Sequence, residues 1–66
     1  MYDYKTDLIK IYNNAKKENN VKIYIEAEYL KNRLVYGYKK IKDKFFKNLL
    51  LNEIAYFTNM NEKYIH

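Results

Sequence analysis

Cysteine, serine, glutamine and proline are missing from this sequence, and Gly37 and Arg33 are its only glycine and its only arginine. Without cysteine there is no disulfide framework and no thiolate for a structural zinc site. A chain of 66 residues buries only about 60% of the surface its unfolded form exposes, so it must gain stability from regular packing or from self-association. Without proline, and with one glycine, the turn punctuation of an all-β protein is also missing, while Leu, Ile, Lys, Glu and Ala are plentiful. A mostly helical chain is the expectation. No apolar run approaches the roughly 20 residues that span a bilayer. The start, Met-Tyr-Asp-Tyr-Lys-Thr-Asp, resembles no signal peptide, so the sequence predicts a cytoplasmic protein with no membrane association.

Catalytic equipment is equally sparse. Thr6 and Thr58 carry the only aliphatic hydroxyls, and His66 is the single histidine. Glu26 and Glu28, two positions apart, would point away from each other on a helix and make a poor acid-base couple. Asp3 and Asp7 share a face, but capping and helix-dipole roles explain them at least as well as a shared cation. Neither an enzyme nor a metal or cofactor site is expected.

Charge is abundant but unevenly placed. Thirteen Lys and Arg against eight Asp and Glu give a net charge of +5. The window Lys31 to Lys47 holds seven basic residues and one acid, Asp43, for +6, and the remaining residues sum to −1. Phe, Ile, Lys, Asn, Tyr and Met, the residues of A- and T-rich codons, fill 42 of the 66 positions. An AT-rich genome therefore explains the number of lysines without selection for binding. It does not explain why seven acids lie outside the window and one inside.

From Tyr4 to Ala15, the apolar positions Tyr4, Leu8, Ile11, Tyr12 and Ala15 have the spacing of an amphipathic helix, with Asp3 as its N-cap and Asn19-Asn20 as its stop. The segment from Val21 to Tyr38 is ambiguous. Val21, Ile23, Ile25, Ala27 and Tyr29 alternate with more polar positions as a strand would, and a return through Leu34 to Ile41 would make a hairpin. Against this, Ile23, Ala27, Leu30, Leu34, Tyr38, Ile41 and Phe45 are spaced by threes and fours, and the turn at Asn32-Arg33 lacks the glycine that tight hairpins favour. Helix is the stronger reading. Asp43 caps a last helix bearing Phe45, Phe46, Leu49, Leu50, Ile54 and Phe57, and Asn59-Met60-Asn61-Glu62 has the spacing of a capping box for a short terminal turn.

The expected fold is all-α, one small bundle of three main helices near 3–18, 22–37 and 43–58, with an α+β helix-hairpin-helix arrangement as the alternative. Its core should hold Leu8, Ile11, Ala27, Leu30, Leu34, Ile41, Phe45, Leu49, Ile54 and Phe57. Apolar residues over more than half of the third helix predict a homo-oligomer or a docked partner.

If Leu30 to Phe57 is helical, Arg33, Lys40, Lys44 and Lys47 lie within about 40° of one meridian at 100° per residue. That stripe, with Lys39 and the neighbouring Tyr36 and Tyr38, is the candidate binding site: lysines neutralise phosphates while tyrosines stack on unpaired bases. A single arginine and no glutamine leave little means of reading base edges, so recognition of charge or shape is expected. The plainer explanation, a solvated lysine face and tyrosines lining the core with wet hydroxyls, competes with it. Two functions follow: a binder of nucleic acid or a nucleoprotein, or a small phage or plasmid protein that inhibits or modulates a host enzyme or regulator through exposed tyrosines.

Overall fold

A computed structural model describes residues 3–66; Met1 and Tyr2, one of the nine tyrosines, lie outside them. Among the described residues the chain is all-α, with three helices and no strand: α1 (Tyr4–Lys17), α2 (Val21–Asn32) and α3 (Lys44–Met60). Among the described residues, no helix is long and apolar enough to cross a membrane.

Asp3 caps α1 as its sequence position implied, accepting from the Thr6 amide at 3.2 Å and from the Thr6 hydroxyl. Those two bonds, the hydroxyl's first, hold the Asp3 carboxyl below its ordinary pKa. The Asn19-Asn20 pair ends α1 and begins α2 without a linker. Asn19 takes a left-handed φ of 62°, which asparagine tolerates better than most residues. This turn lets the Asn19 amide donate to the Lys16 carbonyl at 3.0 Å and the Asn20 amide to that of Ala15 at 2.8 Å, the double closure of a Schellman motif. Asn20 then caps α2, its Oδ1 accepting from the Ile23 amide at 3.4 Å.

The helical period wins over the alternating one in the middle segment. Ala27 and Leu30 are buried, and Asn32 at the proposed hairpin turn is itself helical, at φ −65° and ψ −39°. The α-helix nonetheless stops at Asn32, earlier than the expected 37. Arg33–Gly37 form a π-turn and Tyr38–Lys40 a 3-10 turn. In an α-helix residues four apart drift by about 40° around the axis, and a wider turn removes that drift. Leu34 and Tyr38 thus both stay against the core, followed by Ile41. Ile41 and Asp43 are extended, with ψ of 113° and 119°, so the chain breaks before α3. Asp43 caps α3, accepting from the Phe45 amide at 2.8 Å.

The core has two layers. Leu8, Leu30, Leu50 and Ile54 form one, with Leu34, Ile41 and Phe57 packed on it. Ile11, Ala15, Ala27 and Tyr64 form the other, flanked by Tyr12 and Tyr24, whose rings meet edge to face at 5.8 Å. Two expected core residues are misplaced: Phe45 is 64% exposed and Leu49 47% exposed. The apolar arc of α3 is wider than the α1–α2 pair can cover, and the side that faces inward carries Leu50, Ile54 and Thr58. The end of the chain then returns to the start of the bundle. Tyr64 packs back on α1, its carbonyl accepting from Asn14 Nδ2 and its hydroxyl from Asn20 Nδ2 at 3.0 Å. The terminal turn exists as expected, at Glu62–Tyr64, but Asn59 does not cap it. Instead α3 runs on to Met60, and Asn61 closes it by donating Nδ2 to the Phe57 carbonyl at 2.9 Å.

Candidate nucleic-acid interface

The basic window folds into the connection between α2 and α3 and the first turns of α3. Because the chain breaks at Ile41–Asp43, the single helical meridian of Arg33, Lys40, Lys44 and Lys47 does not exist. Arg33 is drawn aside: its Nη1 lies 3.5 Å from Glu53 Oε2, and its guanidinium sits 5.7 Å from the centre of the Tyr29 ring. Lys47 is half-buried, its ammonium 5.1 Å from the centre of the Tyr38 ring. Both cations are engaged within the bundle.

The break concentrates the other lysines. Lys39, Lys40, Lys42 and Lys44 are all exposed within six residues of chain. Among the described residues, the ion pairs are Arg33–Glu53 and Glu62–His66, so none of the four lysines is paired with a carboxylate. Asp43, the one acid among them, directs Oδ1 to the Phe45 amide. Its carboxylate thereby lies at the positive end of the α3 dipole. Long flexible ammonium groups on an irregular turn at a helix N-terminus form a field that suits phosphate oxygens.

Aromatic rings are exposed on the same stretch of chain. Tyr36 is 70% exposed on the π-turn, and Phe46 is 57% exposed in the first turn of α3, meeting Phe45 edge to face at 5.8 Å. Of the expected site residues, Tyr36, Lys39, Lys40 and Lys44 are exposed on the α2–α3 connection and the first turn of α3, whereas Arg33 and Lys47 are half-buried, Arg33 against Glu53 and Tyr29 and Lys47 against Tyr38. Lys42 is exposed among Lys39, Lys40 and Lys44 although the helical projection missed it, and Phe46 is exposed in the first turn of α3, two positions from Lys44 and so on another side of the helix. The run Lys42-Asp43-Lys44-Phe45-Phe46-Lys47 held the signal, since an N-cap at Asp43 places both phenylalanines in an uncovered first turn. The other tyrosines divide between the two expected fates: Tyr64 is buried, Tyr4, Tyr12, Tyr24 and Tyr38 are half-buried, and Tyr29 and Tyr56 are exposed.

A second feature lies between α2 and α3, a groove of about 490 Å³ with buried Leu30 and half-buried Phe57 deep in it and Tyr56 and Met60 at its edge. Among the described residues, no group of three or more His, Asp or Glu side chains could hold a metal ion. No protein-family model matches the chain, and no curated protein or solved structure matches it either.

Proposed function

We propose that this is a non-catalytic cytoplasmic binding protein that engages nucleic acid, or the nucleic-acid face of a nucleoprotein, through the α2–α3 connection. The four exposed, unpaired lysines between positions 39 and 44 carry the proposal. They would contact phosphates while Tyr36 and Phe46 stack on unpaired bases, a combination suited to single strands and tolerant of sequence. Lysine is a point charge with no fork for base edges, so readout of sequence is not part of the function. Reversing Lys39, Lys40, Lys42 and Lys44 to Glu should abolish binding to a single-stranded oligonucleotide while the helical circular dichroism spectrum stays unchanged. Equal binding by that variant would overturn the proposal.

The apolar surface of α2 and α3 favours a second reading, a small mobile-element protein that modulates a host enzyme or regulator by protein contacts. Capture from lysate with and without nuclease separates the two. Loss of the captured material after nuclease supports nucleic acid, and retention of one stoichiometric protein supports the second reading.

A further inference from the structure

The outer face of α3 is apolar along its length. At 100° per residue, Phe45, Leu49, Asn52, Tyr56 and Met60 fall within an arc of about 80°, well apart from the buried side. Phe45 is 64% exposed, Leu49 47%, Tyr56 69% and Met60 67%. Side chains of this size leave on the order of 500 Å² of apolar surface in water, near the upper end of the largest patch on an ordinary monomer. Among the described residues, eight hydrophobic residues are buried and ten large ones are exposed, so this short chain leaves much of its apolar surface uncovered.

We propose that a second copy of the chain covers this face, with the two α3 helices antiparallel about a two-fold axis at Asn52. The spacing of 4, 3 and 4 residues from Phe45 to Tyr56 is that of a coiled-coil seam, Met60 follows one residue beyond the heptad position, and the set is nearly symmetric about Asn52. An antiparallel partner sets Asn52 against its own counterpart, where the two amides hydrogen-bond and fix the register, and brings Phe45 beside Met60 of the second copy and Leu49 beside Tyr56, each one residue from exact opposition. Charge selects the direction. The N-terminal part of α3 carries Lys44 and follows Lys39, Lys40 and Lys42, whereas Glu53 lies in its C-terminal half and Glu62 just beyond. A parallel pair would press two basic ends together; the antiparallel one brings Lys44 toward Glu62 of the second copy and aligns opposed helix dipoles. Two copies would bury about 1,000 Å², the lower bound of a specific interface, so the dimer is expected to be weak and concentration-dependent. The pairing rests on the exposed face of α3 rather than on nucleic-acid binding, although Lys44 takes part in both surfaces.

Sedimentation equilibrium of the whole chain should show a mass rising toward twice 8.2 kDa with concentration. The double variant Leu49→Lys, Tyr56→Lys should remain at the monomer mass with its helicity intact. Because the chain has no cysteine of its own, single-cysteine variants report the register. Asn52→Cys should oxidise to a cross-linked dimer. Leu49→Cys should cross-link with Tyr56→Cys but not with itself, since disulfides need α-carbons within about 7 Å. A chain that stays monomeric at millimolar concentration overturns the proposal, and binding of that monomer to phosphatidylglycerol vesicles would give the face to an acidic lipid surface instead. A dimer that survives the double variant, or in which Asn52→Cys fails to cross-link, overturns it as well.

Discussion

Arg33 reaches across from the π-turn to Glu53 in the middle of α3, with 3.5 Å between Nη1 and Oε2. The only arginine of the basic window is thereby tied to the bundle and removed from the surface that the lysines form. Both side chains remain nearly half exposed, 41% and 48%, so solvent screens the pair and its contribution stays below about 1 kcal/mol. Glu53→Gln should therefore barely change the urea midpoint while freeing Arg33 and raising the net charge by one. Oligonucleotide affinity at low salt should rise. A fall in affinity would mean that Arg33 acts on the ligand only when held by Glu53.

Adjacent leucines on α3 have opposite fates. Leu50, 2% exposed in the first core layer, should cost about 2–5 kcal/mol when cut to alanine. Leu49, on the outer face, should cost less than about 1 kcal/mol at concentrations where the chain is monomeric. Urea denaturation of the two variants checks the orientation of α3.

Asn20 joins the start of α2 to the end of the chain, its Oδ1 capping the helix and its Nδ2 reaching the Tyr64 hydroxyl. Asn20→Ala removes both and should cost about 1–2 kcal/mol. Tyr64→Phe removes only the hydroxyl contact and should cost about 1 kcal/mol. Equal losses in thermal or urea unfolding would place the whole effect in the Tyr64 contact.

Gly37 has no structural need to be glycine. Its φ is −99° and ψ −31°, and a β-carbon built on it meets nothing within 4 Å. Gly37→Ala should stabilise the fold by about 0.4–1 kcal/mol by restricting the unfolded chain. Calorimetry on the single variant tests this.

Local chemistry made much of the fold legible before any coordinates. Asp3 and Asp43 could be assigned as caps because only a short polar side chain placed just before an apolar stripe satisfies the first amides of a helix. The α1 face followed from Leu8, Ile11 and Ala15 in the same way. The orientation of α3 was not legible, because a helix apolar over most of its circumference offers several equivalent faces. The inward face is the one that meets Leu8 and Leu30, and the chain end is set by Tyr64 returning to Asn14 and Asn20, contacts 50 and 44 residues apart in sequence. The proposed binding surface met the same limit. The exposure of Tyr36, Lys39, Lys40 and Lys44 agrees with a basic surface read from charge placement, but a projection that ran one helix through Ile41–Asp43 set Arg33 and Lys47 on a common meridian with Lys40 and Lys44 that the fold does not form. A π-turn and two extended residues redistribute every side chain beyond them, and no single residue type marks such a break.

The central claim is that Lys39, Lys40, Lys42 and Lys44 bind phosphates. Fluorescence anisotropy of a labelled single-stranded oligonucleotide, titrated with the wild-type chain over a range of salt concentrations, tests it most directly. Four phosphate contacts give a slope of log affinity against log salt of about −3, and each lysine changed to alanine should reduce its magnitude by roughly 0.7. A slope near zero, or one that the lysine changes leave unaltered, would contradict the claim.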